Sequence, residues 1–171
     1  VVMNTELILS NLRTIPDFPI PGIIFFDITT VLKSPACLKE LADSIAALYA
    51  DKGITKVVGL ESRGFILGAL VADRLNAGFI PARKPGKLPA ETVSVQYEKE
   101  YGLDTIEIHK GDINEDDVVL IHDDILASGG TAAAAIKLVR LMNPKAVYAN
   151  FMLEIADLPG RDRLPADVEV E

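Results

Sequence analysis

Val118-Val119-Leu120-Ile121-His122-Asp123-Asp124-Ile125-Leu126-Ala127-Ser128-Gly129-Gly130-Thr131 runs from four consecutive apolar β-formers through two carboxylates into a glycine-rich turn. A short, continuous apolar run marks a strand buried on both faces, so Val118 to Ile121 predicts a central strand. Downstream, Thr131 to Met142 has helical periodicity and Ala146 to Leu153 reads as the next strand. Upstream the same order occurs, with strand Lys56 to Leu60, helix Gly64 to Leu75 and strand Gly78 to Ala82. A helix from Pro35 to Ala50 precedes them, with Ser34 as N-cap, Pro35 at its first position and Gly53 as its stop. Buried strands alternating with helices predict a doubly wound α/β fold: a mainly parallel central sheet with helices on both faces.

The rest of the chain departs from that rhythm. A short helix near Glu6 to Arg13 leads into Pro16, Pro19, Pro21 and Gly22, then Ile23-Ile24-Phe25-Phe26, which predicts a small N-terminal hood over residues 1–33. The α/β core is expected over 34–160. Thr92 to Ile108 reads as a β-hairpin with a polar tip, a mobile loop at about 90–105. With 171 residues, 49% of them hydrophobic and 25% charged, the chain has the balance of a single folded domain, 1–171.

Charge and cysteine usage limit the partners. The net charge of −8 repels polyanions, so no nucleic-acid partner is expected and any anion must be bound locally. No apolar stretch approaches the roughly 18 residues needed to cross a bilayer. Asn4, Glu6 and Arg13 stand where a signal peptide would be apolar, so a cytoplasmic protein without a membrane partner is expected. The only cysteine, Cys37, is expected to be an apolar filler on a helix. His109 and His122 are read as structural.

The quoted segment also carries the chemistry. In open α/β sheets ligands lie beyond the carboxyl ends of the strands, where Asp123 and Asp124 would project. Two ionised carboxylates suit a vicinal diol, because each accepts hydrogen bonds and a ribose offers two adjacent hydroxyl donors. From Ala127 onward the loop offers the opposite chemistry. Gly129 and Gly130 let backbone N–H groups close on a phosphate, Ser128 and Thr131 add hydroxyls, and the following helix presents its positive end. That dipole contributes only about 0.3–2 kcal/mol, so the direct hydrogen bonds must dominate. A diol reader followed by a phosphate cradle specifies a ribose 5-phosphate. No Lys follows Gly130, as a nucleoside-triphosphatase loop requires, and there is no G-x-G-x-x-G for a dinucleotide.

This segment resembles the phosphoribosyl pyrophosphate signature of the type I phosphoribosyltransferases. Further segments, in the family's order over nearly the whole chain, resemble its adenine-using branch: Pro16-Asp17-Phe18-Pro19 with Pro21-Gly22-Ile23, Glu61-Ser62-Arg63-Gly64-Phe65, Arg83-Lys84-Pro85-Gly86-Lys87-Leu88-Pro89 and Glu100-Tyr101-Gly102. The resemblance implies transfer of the phosphoribosyl group to adenine, giving AMP and pyrophosphate. It places the pyrophosphate on Glu61, Ser62 and Arg63 at a helix start and on Arg83, Lys84 and Lys87 of a basic turn, with Arg63 and Arg83 aiding catalysis. It assigns Glu100, beside Tyr101 on the mobile loop, the handling of an adenine-ring proton.

By the same resemblance the base lies between Phe25 and Ile155, its polar edge read by backbone near Ile24 and Phe26. Phe26 stands where the family usually carries Arg. Main-chain reading there preserves adenine recognition, whereas a guanidinium contact would change the base. Mg²⁺ is expected, held mainly by substrate oxygens without a direct protein ligand. A homodimer is implied, with residues 83–87 reaching the neighbouring subunit's site. Two alternatives remain: a phosphoribosyltransferase for another base, such as a 6-oxopurine or orotate, and a phosphoribosyl-pyrophosphate sensor that binds nucleic acid.

Overall fold

The computed structural model describes residues 3–99 and 102–171. In chain order, α1 (Thr5–Asn11), β1 (Arg13–Pro16), β2 (Ile24–Asp27), α2 (Thr29–Leu32) and α3 (Pro35–Tyr49) precede the strands and helices of the main sheet. These are β3 (Lys56–Leu60), α4 (Gly64–Arg74), β4 (Gly78–Ala82), β5 (Thr92–Lys99), β6 (Gly102–His109), β7 (Val118–Leu126), α5 (Gly130–Arg140) and β8 (Ala146–Glu154). A 3-10 turn (Arg161–Arg163) and β9 (Glu169–Val170) follow. The chain divides into two compact units, residues 1–48 and 49–171.

In the first unit the ends of the helices follow from their caps. Asn4 Oδ1 accepts the Leu7 N–H at 3.1 Å to start α1, and Ser34 Oγ accepts the Cys37 N–H at 3.3 Å to start α3. Helix α1 stops at Asn11, two residues short of the predicted Arg13, because Arg13 to Pro16 instead pair antiparallel with β2. Asp17 takes a positive φ of 55°, and its carboxylate accepts the Gly22 N–H at 2.8 Å, closing the proline-rich turn between the two strands. Cys37 is buried on α3, the filler position expected of it.

In the second unit a five-stranded sheet has the order β4-β3-β7-β8-β9, every neighbouring pair parallel. The chain steps outward from β3 to β4 through α4, and outward the other way from β7 to β8 through α5. Right-handed crossovers in opposite directions place the two helices on opposite faces, and strand alternation shows which residues meet each. Val58 and Leu60 of β3 and Val119 and Ile121 of β7 join Ala135, Ile136, Leu138 and Val139 of α5 in one core. Beta strands β5 and β6 form a separate antiparallel ribbon, whose Val95, Ile106 and Ile108 pack into that same core.

One strand is longer than its apolar run. The sequence predicts that β7 ends at Ile121, but it continues to Leu126, pairing with β8 as far as Leu126 opposite Glu154. The aspartates therefore lie within the strand, not beyond its end. Backbone pairing with β8 holds them extended, and the alternation of side chains survives the change to polar residues.

Candidate active site

The outward steps diverge between β3 and β7, so the crevice beyond the carboxyl ends of these two strands is the topological switch point where open α/β sheets bind ligands. Glu61-Ser62-Arg63 leaves β3 on one side, and on the other β7 carries Asp123 and Asp124 and passes at Leu126 into the loop toward Thr131. Arg63 Nε lies 2.8 Å from Asp124 Oδ2, joining the two predicted motifs directly. This is a charge contact without hydrogen-bond alignment, since that buried oxygen has no hydrogen-bond partner among the described residues. Asp124 is 6% exposed and Arg63 about half exposed, so the pair has one dry and one wet end.

Asp123 accepts the Asp124 N–H on Oδ1 at 2.8 Å. Burial, the neighbouring Asp124 carboxyl and its charge raise the pKa of Asp123 well above the ordinary carboxylate range. Two adjacent carboxylates in a dry crevice cannot both ionise freely. His122, the residue before them, is also buried. Burial lowers its pKa to about 4, so its ring is neutral, with Nδ1 2.9 Å from Asn150 Oδ1. The Asn150 amide donates to the Glu171 carbonyl at 3.2 Å, which fixes Oδ1 as the acceptor and Nδ1 as the protonated nitrogen of His122. His122 thus acts in the packing of the sheet, as expected.

Glycines bring α4 this close. A Cβ on Gly64 would stand 2.8 Å from the His122 carbonyl and 3.2 Å from Asp123 Oδ1. A Cβ on Gly59 of β3 would stand 2.7 Å from the Phe79 ring and 2.9 Å from the Gly64 carbonyl. The helix start can therefore sit against β7 only without side chains at these points, and that proximity sets Arg63 beside Asp124.

The predicted phosphate loop surrounds a cavity of about 90 Å³ lined by Asp123 and residues 125–132. Gly129 takes a φ of 84°, available to glycine at little cost. Helix α5 starts at Gly130, so Thr131 lies in its first turn, which contains no acidic residue, while Lys137 and Arg140 occupy the last. The lack of an acidic residue leaves the positive helix end facing the loop uncompensated, while the basic residues offset the negative end.

The basic turn is tied to the same crevice. Glu61 accepts the Arg83 guanidinium at 2.9 Å and the Lys84 N–H at 3.2 Å. Burial opposes the charge on Glu61, but these donors and Lys87 outweigh it and hold the pKa below the usual range. Lys84 makes an ion pair with Asp104. Burial opposes that charge too, yet the Asp104 and Tyr97 contacts raise the pKa of Lys84. Tyr97 Oη donates to Asp104 at 3.2 Å and receives the Thr131 hydroxyl at 3.2 Å, so one polar chain joins the basic turn, the ribbon and the phosphate loop. Ser62 and Lys87 are exposed.

The sequence reading missed Tyr97 and Asp104, which stand opposite each other in the β5–β6 register. Their period-2 placement in a polar ribbon was the available signal. The predicted base-reading residues fall in both units. Ile24 is exposed, while Phe25 and Phe26 of β2 are half-buried, with the Phe25 ring edge-on to Phe18 at 5.1 Å. Ile155 follows β8, and its N–H donates to the Leu126 carbonyl at 2.9 Å. Glu100 and Tyr101 lie outside the described residues.

Residues 27–155, which hold the switch-point crevice with its paired aspartates and glycine loop, match the phosphoribosyl transferase domain. The chain belongs to that family. Within it, relatives similar over nearly the whole chain are adenine phosphoribosyltransferases. That of Bacteroides thetaiotaomicron is 58% identical over 171 residues, spanning 100% of this chain and 97% of the relative. The crystal structure of the Rhodothermus marinus adenine phosphoribosyltransferase is 50% identical, with a TM-score of 0.91 covering 97% of this chain and 94% of that one. The Saccharomyces cerevisiae enzyme, complexed with adenine and an imino-altritol 1,6-bisphosphate, is 39% identical, again at a TM-score of 0.91 over 97% and 96% of the two chains.

Proposed function

We propose that this chain transfers the 5-phosphoribosyl group from phosphoribosyl pyrophosphate to adenine, giving AMP and pyrophosphate, a purine salvage reaction. The observation that carries this reading is the meeting of Arg63 and Asp124 at the switch point, beside the glycine loop. The names of the relatives, and the adenine bound by the yeast enzyme, support the base.

In this reading Asp123 and Asp124 accept the ribose 2- and 3-hydroxyls, and Ala127 to Thr131 hold the 5-phosphate. The bond from the anomeric carbon to pyrophosphate breaks as the bond to an adenine nitrogen forms, through a state in which the ring oxygen shares positive charge. Arg63, Arg83, Lys84 and Lys87, with Glu61 and Ser62 at the strand end, receive the departing pyrophosphate. Glu100 takes the proton released from the adenine ring, with Tyr101 beside it. Phe25 and Ile155 sandwich the base, and the main chain at Ile24 and Phe26 reads its edge, so the absence of Arg at position 26 leaves adenine recognition intact.

Among the described residues no group of three His, Cys, Asp or Glu could hold a metal ion. The paired hard oxygens of Asp123 and Asp124 suit a site in which the substrate itself brings Mg²⁺. When bound, Mg²⁺ supplies neutralisation of the leaving pyrophosphate. Residues 1–171 act as one catalytic domain, working in the cytoplasm as a homodimer in which residues 83–87 complete the partner's site. No described helix is long and apolar enough to cross a membrane.

The test is steady-state pyrophosphate release from phosphoribosyl pyrophosphate and Mg²⁺, with adenine, hypoxanthine, guanine and orotate offered separately to wild type and Asp124→Ala. Release with adenine alone, lost in the variant, supports the reading. Release with another base moves recognition to Phe26, and no release with any base refutes transferase activity.

A further inference from the structure

The segment leading into the 3-10 turn packs against the predicted phosphate loop without lining its cavity. Gly160 is buried against the loop so closely that a Cβ there would lie 2.2 Å from the Ala127 carbonyl, and a Cβ on Gly129 would lie 2.5 Å from the Gly160 carbonyl. Two residues beyond the start of this buttress, Arg163 reaches back, and its Nη1 donates to the Ser128 carbonyl at 3.2 Å. The Arg163 N–H donates to the Gly160 carbonyl at 3.2 Å, so the side chain springs from the same rigid turn that seats the loop.

The Ser128–Gly129 peptide is trans, and a trans peptide directs its C=O and N–H in opposite directions. Arg163 is not in the cavity lining, so holding the Ser128 carbonyl toward Arg163 turns the Gly129 N–H the other way, and Gly129 itself lines the cavity. The guanidinium also lies over the first residue of α5, with Nη1 3.8 Å from the position of a Cβ on Gly130. A cation beside the positive end of a helix is unfavourable unless an anion lies there as well, and this first turn has no acidic side chain to serve. Loop geometry and charge both call for an anionic group in the cavity.

We propose that Arg163 is a positioning residue of the 5-phosphate subsite, acting through the Ser128–Gly129 peptide and by its charge, with Gly160 as the seat of the loop. This rests on the phosphoribosyl reading above. It concerns only the phosphate, so ligands that differ in that group alone isolate it.

The experiment is calorimetric binding of AMP and of adenosine to the full chain in three forms: wild type, R163K and R163Q. Loss of a charge-assisted donor should weaken AMP binding about tenfold in R163Q, with adenosine unchanged and R163K intermediate. In turnover the KM for phosphoribosyl pyrophosphate should rise by a similar factor while kcat stays within about twofold, as expected for lost ground-state and transition-state binding alike. Should R163Q fail to fold, the intermediate loss in R163K, confined to AMP, is the reading. An unchanged AMP-to-adenosine ratio overturns the proposal, as does an equal loss for both ligands, which would mark a purely structural role. If wild type itself binds AMP no better than adenosine, the phosphoribosyl reading has failed instead.

Discussion

Arg63 and Asp124 face each other across the crevice between β3 and β7, Nε 2.8 Å from Oδ2, so a residue assigned to pyrophosphate is held by a residue assigned to ribose. Arg83 with Glu61 and Lys84 with Asp104 repeat the arrangement. Each of these three cations rests on a carboxylate of its own chain, which keeps an acidic protein from leaving buried charge unpaired. In the proposed reading, substrate anions would reach Arg63, Arg83 and Lys84 by exchanging partners with these carboxylates.

Arg63→Gln removes the charged guanidinium assigned to the leaving pyrophosphate while keeping an amide nitrogen near the place of Nε. A decrease of about 10²-fold in kcat is expected, measured as pyrophosphate release with adenine. An unchanged kcat would remove Arg63 from the pyrophosphate site.

Asp123→Asn should stabilise the unliganded fold. The folded-state pKa of Asp123 is raised, so the protonated carboxyl is favoured, and stability is lost as pH rises from the unfolded value through the folded one. The amide escapes that loss. Its melting temperature should exceed wild type at neutral pH and converge with it below about pH 4, the unfolded carboxylate value. Each kcal/mol relieved is worth about 2–4 °C in a chain of this size.

Ligand binding should release a proton. Ribose hydroxyls favour an ionised acceptor, so an Asp123 carboxyl that retains its proton when empty must give it up when filled. Affinity for ribose 5-phosphate should therefore rise with pH through neutrality. Calorimetry in buffers of different ionisation enthalpy reports the proton count, and a buffer-independent heat would contradict the assignment.

Tyr97→Phe deletes the hydroxyl that joins Thr131 to Asp104. The expected loss is about 0.5–1.5 kcal/mol of stability, with faster amide exchange in β5 and β6 than elsewhere in the sheet. Uniformly unchanged exchange would show that the ribbon is held by its apolar contacts alone.

Gly64→Ala places a methyl group 2.8 Å from the His122 carbonyl. Backbone cannot rotate out of the way as a side chain can, so the upper part of the usual overpacking range, about 1–3 kcal/mol, is expected from denaturant titration. Displacement of α4 should also weaken pyrophosphate binding by moving Arg63.

The β3–α4–β4 and β7–α5–β8 units were legible because buried parallel strands leave unbroken apolar runs and helices leave a 3.6-residue period. The end of β7 was not. Asp123 and Asp124 read as loop residues, and the pairing with β8 that extends the strand is a tertiary fact. Likewise β1 is hidden at the start of a proline-rich stretch, because its pairing partner, Ile24–Asp27, lies beyond the turn. Of the candidate site, the glycine loop stands out as a local motif, whereas Arg63 is singled out only through the family resemblance. Tyr97, Asp104, Gly160 and Arg163 gain their meaning only from neighbours distant in sequence.

The contact between Gly129 and Gly160 has a consequence for how the chain can change over generations. Glycine has no smaller substitute, and every other residue brings a Cβ that collides with the opposing backbone. A side chain at Gly129 is blocked by the Gly160 backbone and one at Gly160 by the Ala127 carbonyl, so replacing both adds two collisions. Variation in the reaction this site performs must therefore arrive through the segments around the loop, while the loop and its seat pass on together or not at all.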